Sequence, residues 1–478
     1  MSTLAPPSSI APVLAGPVPP PKRLPFFRYL STVRRNFIEA LDEGMYRQGM
    51  IVQRSVGRHS FIVNNPEGIR HVLLENAANY PKADVEHRIL GPGMGKGLIL
   101  SEGETWRAHR RIMAPAFDHR TVERYAPVMT NAACGLAVRW QKLPVGEPIE
   151  IGNQMMQLTL EIISRSMFAE DSESVREIVS RGSDRYQEIM VPGLLEFVPG
   201  FGRLWSAWKG VRGRAIMKDF DRAVYRLIEA RMRAPAAGRR GDLLDRLIES
   251  RDEQSGTRMT AREVRDQVLT IFVAGHETTA LTLMWTFYLL SMHPGHEARM
   301  HAELREVLGG RDPGWEDVPR LAYTRMILQE SMRLYPPVHT LAFRQAAQDD
   351  TICGLRIPRG SLITIMPWLL HRHRSYWREA DRFDPERFTA EEVARRDRLV
   401  YLPFGFGPRI CIGASFAMTE AVLILATLAQ QFRLRLAPGH PVEPLAKFTL
   451  KAKRGMWMMV EAREQGTGNR EQGIGNRE

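Results

Sequence analysis

The sequence predicts a mostly α-helical chain with small β-sheets, and three observations carry that expectation. Segments 66–80 ("PEGIRHVLLENAANY"), 121–143 and 417–432 place apolar residues three and four apart, the period of a half-buried helix. Thr260 and Glu263 form a T-x-x-E capping box, and no proline follows until Pro294. About 30 residues can then run as one rod of roughly 45 Å. An average helix has about 11–12 residues, so this one would cross the whole domain. Strand-like pieces come only in small clusters: "GMIVQRSV" and "SFIVNN" within 49–65, "TICGLRIPRGSLITIMPWLLHR" from Thr351, and "FTLKAKRGMWMMVEA" from Phe448.

In chain order, the first 24 residues are proline-rich without a continuous apolar run, and read as a disordered lead-in. Residues 25–461 contain no long linker and read as one domain. Residues 462–478 are expected to be a disordered tail, since from Arg463 a polar seven-residue unit occurs twice. The longest apolar stretch, 280–290, is too short for a membrane span of roughly 20 residues. A cytoplasmic protein without a span is expected, and a monomer.

With 478 residues, 44% of them hydrophobic, the chain can bury a large core. Its net charge of +12 suits nucleic acid, an anionic membrane or an acidic protein. No basic run with interleaved aromatics occurs, so nucleic acid ranks last. Cys134, Cys353 and Cys411 lie more than fifty residues apart, which argues against a disulfide framework and excludes a C-x-x-C metal site.

Five stretches contain residues suited to chemistry. In "AGHETTA" (274–280), Thr278 lies four residues after Ala274, so its hydroxyl can bond that carbonyl and bend the helix. Gly275 leaves the backbone open, and Glu277 adjoins the hydroxyl. The segment is no zinc motif, because H-E-x-x-H would need histidine at Ala280. Glu330 and Arg333 share a helix face, and "FDPERF" supplies Arg387 from a loop. Trp106 and Arg110 lie one helical turn apart, an indole donor beside a guanidinium. "GPGMGKG" (91–97) fails as a phosphate loop, with Leu90 and Gly97 at its first and last required positions.

The fifth stretch, "FGFGPRICIGASFAMTEA" (404–421), surrounds Cys411 with Gly405, Gly407 and Gly413 just before a helix. Unusual backbone angles are expected at these glycines. The helix N-terminus and Arg409 would favour a thiolate, suited to act as nucleophile or metal ligand.

Taken together these stretches resemble the cytochrome P-450 family over about residues 25–461. F-x-x-G-x-R-x-C-x-G is met by Phe404, Gly407, Arg409, Cys411 and Gly413. E-x-x-R is met by Glu330 and Arg333, with Arg387 as third member of the charged triad. A-G-x-E-T-T falls at 274–279 and W-x-x-x-R at Trp106 and Arg110.

The resemblance implies a long distal helix crossing over a buried, non-covalent haem b whose iron Cys411 ligates. Trp106, Arg110, Arg344, Arg409 and Phe404 would bind the cofactor, while Glu330, Arg333 and Arg387 buttress the ligand loop. Thr278 and Glu277 would manage protons. Ala274 and Val338 would face a hydrophobic substrate, and 189–205 would supply a mobile lid. The implied activity is a monooxygenase using O2. Its electrons would come from NAD(P)H only indirectly, through a separate ferredoxin or flavodoxin with its reductase, docked on basic residues such as Arg107 and Arg111. Peroxide-driven or isomerising chemistry, and a haem carrier or sensor, are the competing readings.

Overall fold

The computed structural model describes residues 14–55, 58–169, 201–233 and 241–463. Ten longer helices dominate: α1 (Phe26–Arg35), α2 (Asp84–Met94), α3 (Gly103–Met113), α4 (His119–Trp140), α5 (Ile151–Phe168), α6 (Phe201–Arg233), α7 (Ala261–Met292), α8 (Pro294–Leu308), α9 (Ala322–Leu334) and α10 (Ala414–Gln431). The strands are β1 (Met50–Ser55), β2 (Arg58–Val63), β3 (Pro148–Glu150), β4 (Ala342–Gln345), β5 (Asp350–Ile352), β6 (Leu355–Ile357), β7 (Leu362–Ile365), β8 (Phe432–Leu436), β9 (Pro444–Ala446), β10 (Leu450–Ala452) and β11 (Trp457–Ala462).

The expected rod is α7, 32 residues long. Its capping box forms in full: Thr260 N–H donates to Glu263 Oε2 at 2.8 Å, and Glu263 N–H donates to Thr260 Oγ1 at 3.3 Å. It stops at His293 because Pro294, which cannot continue the ladder, starts α8 at its first position. A helix apolar on every side belongs inside, and α7 is buried over most of its length, packed along α5. Among the described helices it alone is long and apolar enough to cross a membrane, yet most of that stretch is buried in the protein's own core. Helix α10 packs along α4, and both touch the same core.

The largest sheet has the order β1-β2-β7-β4, with β2 and β7 parallel and its other pairs antiparallel. A three-stranded sheet runs β3-β11-β8, and β9/β10 and β5/β6 are two-stranded. The β4–β7 pairing carries Arg344, and the β9/β10 pair carries Lys451, toward the same interior space.

Several expectations need correction. Segment 66–80 is not one helix: α-helical Pro66–Arg70 gives way to a π turn at His71–Glu75 and a 3-10 turn at Ala77–Asn79. Asp350 draws hydrogen bonds from His71, Asn76 and Tyr80, and these side-chain contacts compete with helical continuation. "PWLL" (367–370) is a helical turn, since Pro367 suits a first helical position and cannot donate to a sheet ladder.

Residues 14–24 are held rather than loose. Ala15 N–H donates to Tyr288 Oη at 3.0 Å, and Tyr335 Oη–H donates to Ala15 O at 2.6 Å. Buried hydroxyls need partners, and the proline-rich segment supplies one through Ala15. At the other end, Ala462 closes β11 and Arg463 Nη1 donates to Ala429 O at 2.7 Å, so the fold reaches residue 463. Residues 189–200 of the expected lid lie outside the described residues, and 201–205 begin α6, a 33-residue helix that sequence reading missed.

Candidate active site

A cavity of about 1650 Å³ separates α7 from the cysteine loop, lined by Ala274, Gly275 and Thr278 on one side and Phe404, Arg409 and Cys411 on the other. Of the three cysteines, Cys411 alone lines it. Its backbone N–H donates to Phe404 O at 2.9 Å, closing the loop. Gly405 and Gly407 have φ of +76° and +75°, as expected. A Cβ at Gly407 would sit 2.3 Å from the Leu73 carbonyl oxygen, so only glycine fits. Gly413 differs: its φ of −89° is open to any residue, and it serves as N-cap of α10.

The Cys411 sulfur is accessible from the cavity yet enclosed by protein. Burial pushes its thiol up, opposed by the Gly413 N–H and by the Arg110 guanidinium. Arg409, expected to supply that charge, instead lays its guanidinium 4.4 Å from the Trp106 ring centre, bonds Ser101 O at 3.0 Å and pairs with Glu102 at 3.3 Å.

Lys82, Arg110, Arg344 and Arg409 line one end of the cavity. Arg110 Nη1 donates to Ile410 O at 2.7 Å. Arg344, on β4, is buried and its Nε has no hydrogen-bond partner among the described residues. Lys82 Nζ pairs with Glu86 at 3.2 Å, while burial pushes its ammonium down and Arg344 and Arg409 add to the shift. Sequence reasoning missed Lys82, since a lone lysine after Pro81 carries no motif. Four cations against Glu86 and Glu102 leave an excess of positive charge suited to an anionic group.

On α7, Thr278 Oγ1 donates to Ala274 O at 2.8 Å, the expected back-bond. Ala274 and Val338 both line the cavity. Glu277 is fully buried and does not line it; its Oε1 accepts from Thr449 Oγ1 and Lys451 Nζ, each at 2.9 Å. More than 170 residues separate these partners from Glu277, and no local pattern announces them. A carboxyl that the sequence did not announce, Glu420 on α10, is buried with neither oxygen hydrogen-bonded among the described residues. Burial raises it to about 8, which the neighbouring Thr279 hydroxyl offsets only in part.

Away from the cavity, Glu330 and Arg333 on α9 are both fully buried and form a bidentate pair at 2.6 and 2.8 Å. Arg333 Nη1 also donates to His371 O and Ala380 O, and Arg387 Nε lies 3.5 Å from Glu330 Oε1. The expected triad is thus assembled. Of the two arginines expected in a docking face, Arg107 pairs with Glu104 and Arg111 is held by the buried Asp252 at 2.5 Å.

A haem fits this donor set. One thiol faces the cavity, an open helix notch lies across from it, and the unpartnered Arg344 Nε lies among cations that can take two propionates. Among the described residues, no three His, Cys, Asp or Glu side chains gather to hold a bare metal ion.

Thiol, cation cluster and notched helix around one cavity define an oxidoreductase built on a bound redox cofactor. The cytochrome P450 family model matches residues 18–459. Cyclooctatin synthase of Streptomyces melanosporofaciens is 36% identical over 419 residues, covering 84% of this chain and 87% of that protein. Pentalenene oxygenase of Streptomyces avermitilis is 33% identical, covering 87% and 91%. The crystal structure of the cytochrome P450DA heme domain superposes with a TM-score of 0.81 at 26% identity, covering 94% of this chain and 98% of that one. The chain belongs to the cytochrome P450 family: it is a monooxygenase of the haem-thiolate type.

Proposed function

We propose that this protein inserts one oxygen atom from O2 into a hydrophobic, largely hydrocarbon substrate of the terpenoid kind, by hydroxylation or epoxidation. The relatives named for cyclooctatin synthesis and pentalenene oxygenation support that class. So does the apolar wall formed by Val85, Leu98, Ala274, Val338 and Phe448. When bound, the haem supplies the oxygen chemistry, and the protein supplies ligation, protons and shape.

In this reading Cys411 would hold the haem iron through its thiolate, with Arg110 and the Gly413 N–H favouring the charged sulfur against the burial that raises it. Arg110, Arg344, Arg409, Lys82 and Trp106 would hold the propionates, and Phe404, whose carbonyl accepts from the Cys411 N–H, would border the bound cofactor. Thr278 holds a hydroxyl at the cavity wall. Glu277, one residue away, receives protons from the solvent side along Lys451, whose side chain is 35% exposed. Glu330, Arg333 and Arg387 stiffen the segment behind the ligand loop. Electrons come from NAD(P)H through a separate ferredoxin or flavodoxin and its reductase, in the cytoplasm.

The observation that supports this reading is that Cys411 and the Ala274–Thr278 notch line one and the same cavity. Reduced, carbon monoxide-treated protein should show the red-shifted Soret band of thiolate ligation. Cys411→Ser should abolish it, and Cys134→Ser and Cys353→Ser should retain it. With NAD(P)H, surrogate partners and isotopically heavy O2, a terpene product should carry the label. Equal product from peroxide alone, or no product at all, would overturn the assignment.

A further inference from the structure

A second pocket, of about 460 Å³, opens beside the turns at 374–382, and none of its lining residues lines the cavity that holds Cys411. Four of those residues are arginines: Arg47, Arg374, Arg378 and Arg382. Asp381 pairs with Arg374 at 2.6 Å, Glu379 with Arg382 at 3.3 Å, and Glu43 with Arg47 at 3.8 Å. Arg378 is exposed and has no ion pair among the described residues. Arg372 lies 3.8 Å from Asp381; it is buried, and its Nη1 lacks a hydrogen-bond partner among the described residues. Five guanidiniums thus meet three carboxylates, an excess of two positive charges.

The backbone adds donors. The Glu379 and Ala380 carbonyls turn inward, accepting from Arg387 Nη2 at 3.1 Å and from Arg333 Nη1 at 2.7 Å. A trans peptide sets its N–H opposite its C=O, so the Ala380 and Asp381 N–H groups point outward, and both residues line the pocket. Neither N–H has an acceptor among the described residues. Glu379 has a φ of +45°, in the left-handed region that a residue with a Cβ seldom adopts. A left-handed residue within a turn brings successive N–H groups onto one concave side, an arrangement that binds anions.

We propose that this pocket binds a phosphate dianion, free or as a small phosphate monoester, through its guanidiniums and the outward N–H groups of the turn. Guanidinium forks and backbone N–H groups are the donors that phosphate oxygens take. A protein carboxylate would bring a single charge, whereas a tetrahedral dianion matches both the charge excess and the donors. Bound there, phosphate holds from outside the turn that Arg333 and Arg387 hold from inside. The site stands apart from the substrate and from the reaction in the cavity.

The test is isothermal titration of inorganic phosphate into haem-loaded, full-length protein, in chloride buffer of fixed ionic strength. Phosphate should bind at one site per chain and raise the melting temperature, and added chloride should do neither. Arg47→Ser with Arg378→Ser should weaken binding at least about tenfold. Arg356→Ser, at an exposed arginine outside the pocket, should leave it unchanged. Both variants should keep the wild-type Soret band and, without phosphate, the wild-type melting temperature. Glycerol 3-phosphate separates the two sources: binding as tight as phosphate or tighter assigns the pocket to a monoester, and weaker binding assigns it to the free ion. The proposal is overturned if wild type binds phosphate no better than chloride, or if the Arg47 and Arg378 double variant binds as wild type does. It is equally overturned if Arg356→Ser weakens binding as much as the double variant, since the effect would then be one of overall charge.

Discussion

Glu277 and Lys451 meet at 2.9 Å although 174 positions separate them, and this pair ties the acid beside Thr278 to the β9/β10 hairpin. Thr449 adds its hydroxyl to the same carboxylate oxygen. The acid is therefore neutralised by a hairpin, β9/β10, that also lines the cavity. A lysine that bridges solvent and a buried carboxylate can carry protons one way and hold the hairpin the other.

Lys451→Met should leave Glu277 buried with Thr449 and without its cation. Removing one partner of a fully buried pair costs about 3–5 kcal/mol; the exposure of Lys451 and solvent screening reduce that to about 1–2 kcal/mol. Urea unfolding measures it. Product formed per NAD(P)H consumed should fall in the same variant, and Lys451→Arg should restore both. Unchanged coupling in Lys451→Met would remove the proton role and leave a structural one.

The Glu330–Arg333 pair has no such relief, because both side chains are wholly buried. Glu330→Gln leaves Arg333 without its countercharge and should cost about 3–5 kcal/mol. Arg333→Lys should do comparable damage, since lysine cannot serve the bidentate carboxylate together with the His371, Ala380 and Arg382 carbonyls. The readout is the fraction of purified protein that retains haem, alongside the urea midpoint.

Local signals account for what the sequence made legible. The capping box and the proline at 294 bounded α7 within a residue or two, because both act on backbone groups nearby. Thr278 and Ala274 are one turn apart, so their bond was readable. Lys451, Thr449 and Lys82 were not, since their partners depend on which hairpin folds over which helix. The cation beside Cys411 was misread for a related reason. Arg409 is close in sequence, but its stacking on Trp106 turns it away, and Arg110 from α3 takes its place. The split of 66–80 likewise depended on Asp350, 274 residues from Asn76.

Gly407→Ala should disrupt the ligand loop. The new methyl would lie 2.3 Å from backbone at Leu73, and φ of +75° is unfavourable for any residue with a Cβ. A loss of about 2 kcal/mol or more is expected, with weakened haem retention read from the Soret absorbance. Gly413→Ala is the control for the backbone argument: its φ of −89° is open to any residue and no protein atom lies within 4 Å of its Cβ, so the urea midpoint should change far less.

Glu420 gives the stability a pH dependence of known sign. Its carboxyl titrates near 4.5 when unfolded and near 8 when buried. Below 4.5 both states hold the proton and the group contributes nothing to the slope. Between 4.5 and about 8 the unfolded chain releases the proton that the folded one keeps, so stability falls as pH rises. Near pH 7 the accumulated cost is about 3 kcal/mol. Glu420→Gln keeps the size and cannot ionise, so it should match wild type near pH 4.5 and exceed it increasingly toward pH 8. Taking the difference between the two proteins cancels the titration of other buried groups, such as His371, pushed down to about 3 by burial. A difference that stays flat from pH 5 to 8 would mean that Glu420 already ionises at an ordinary carboxylate pH inside the fold.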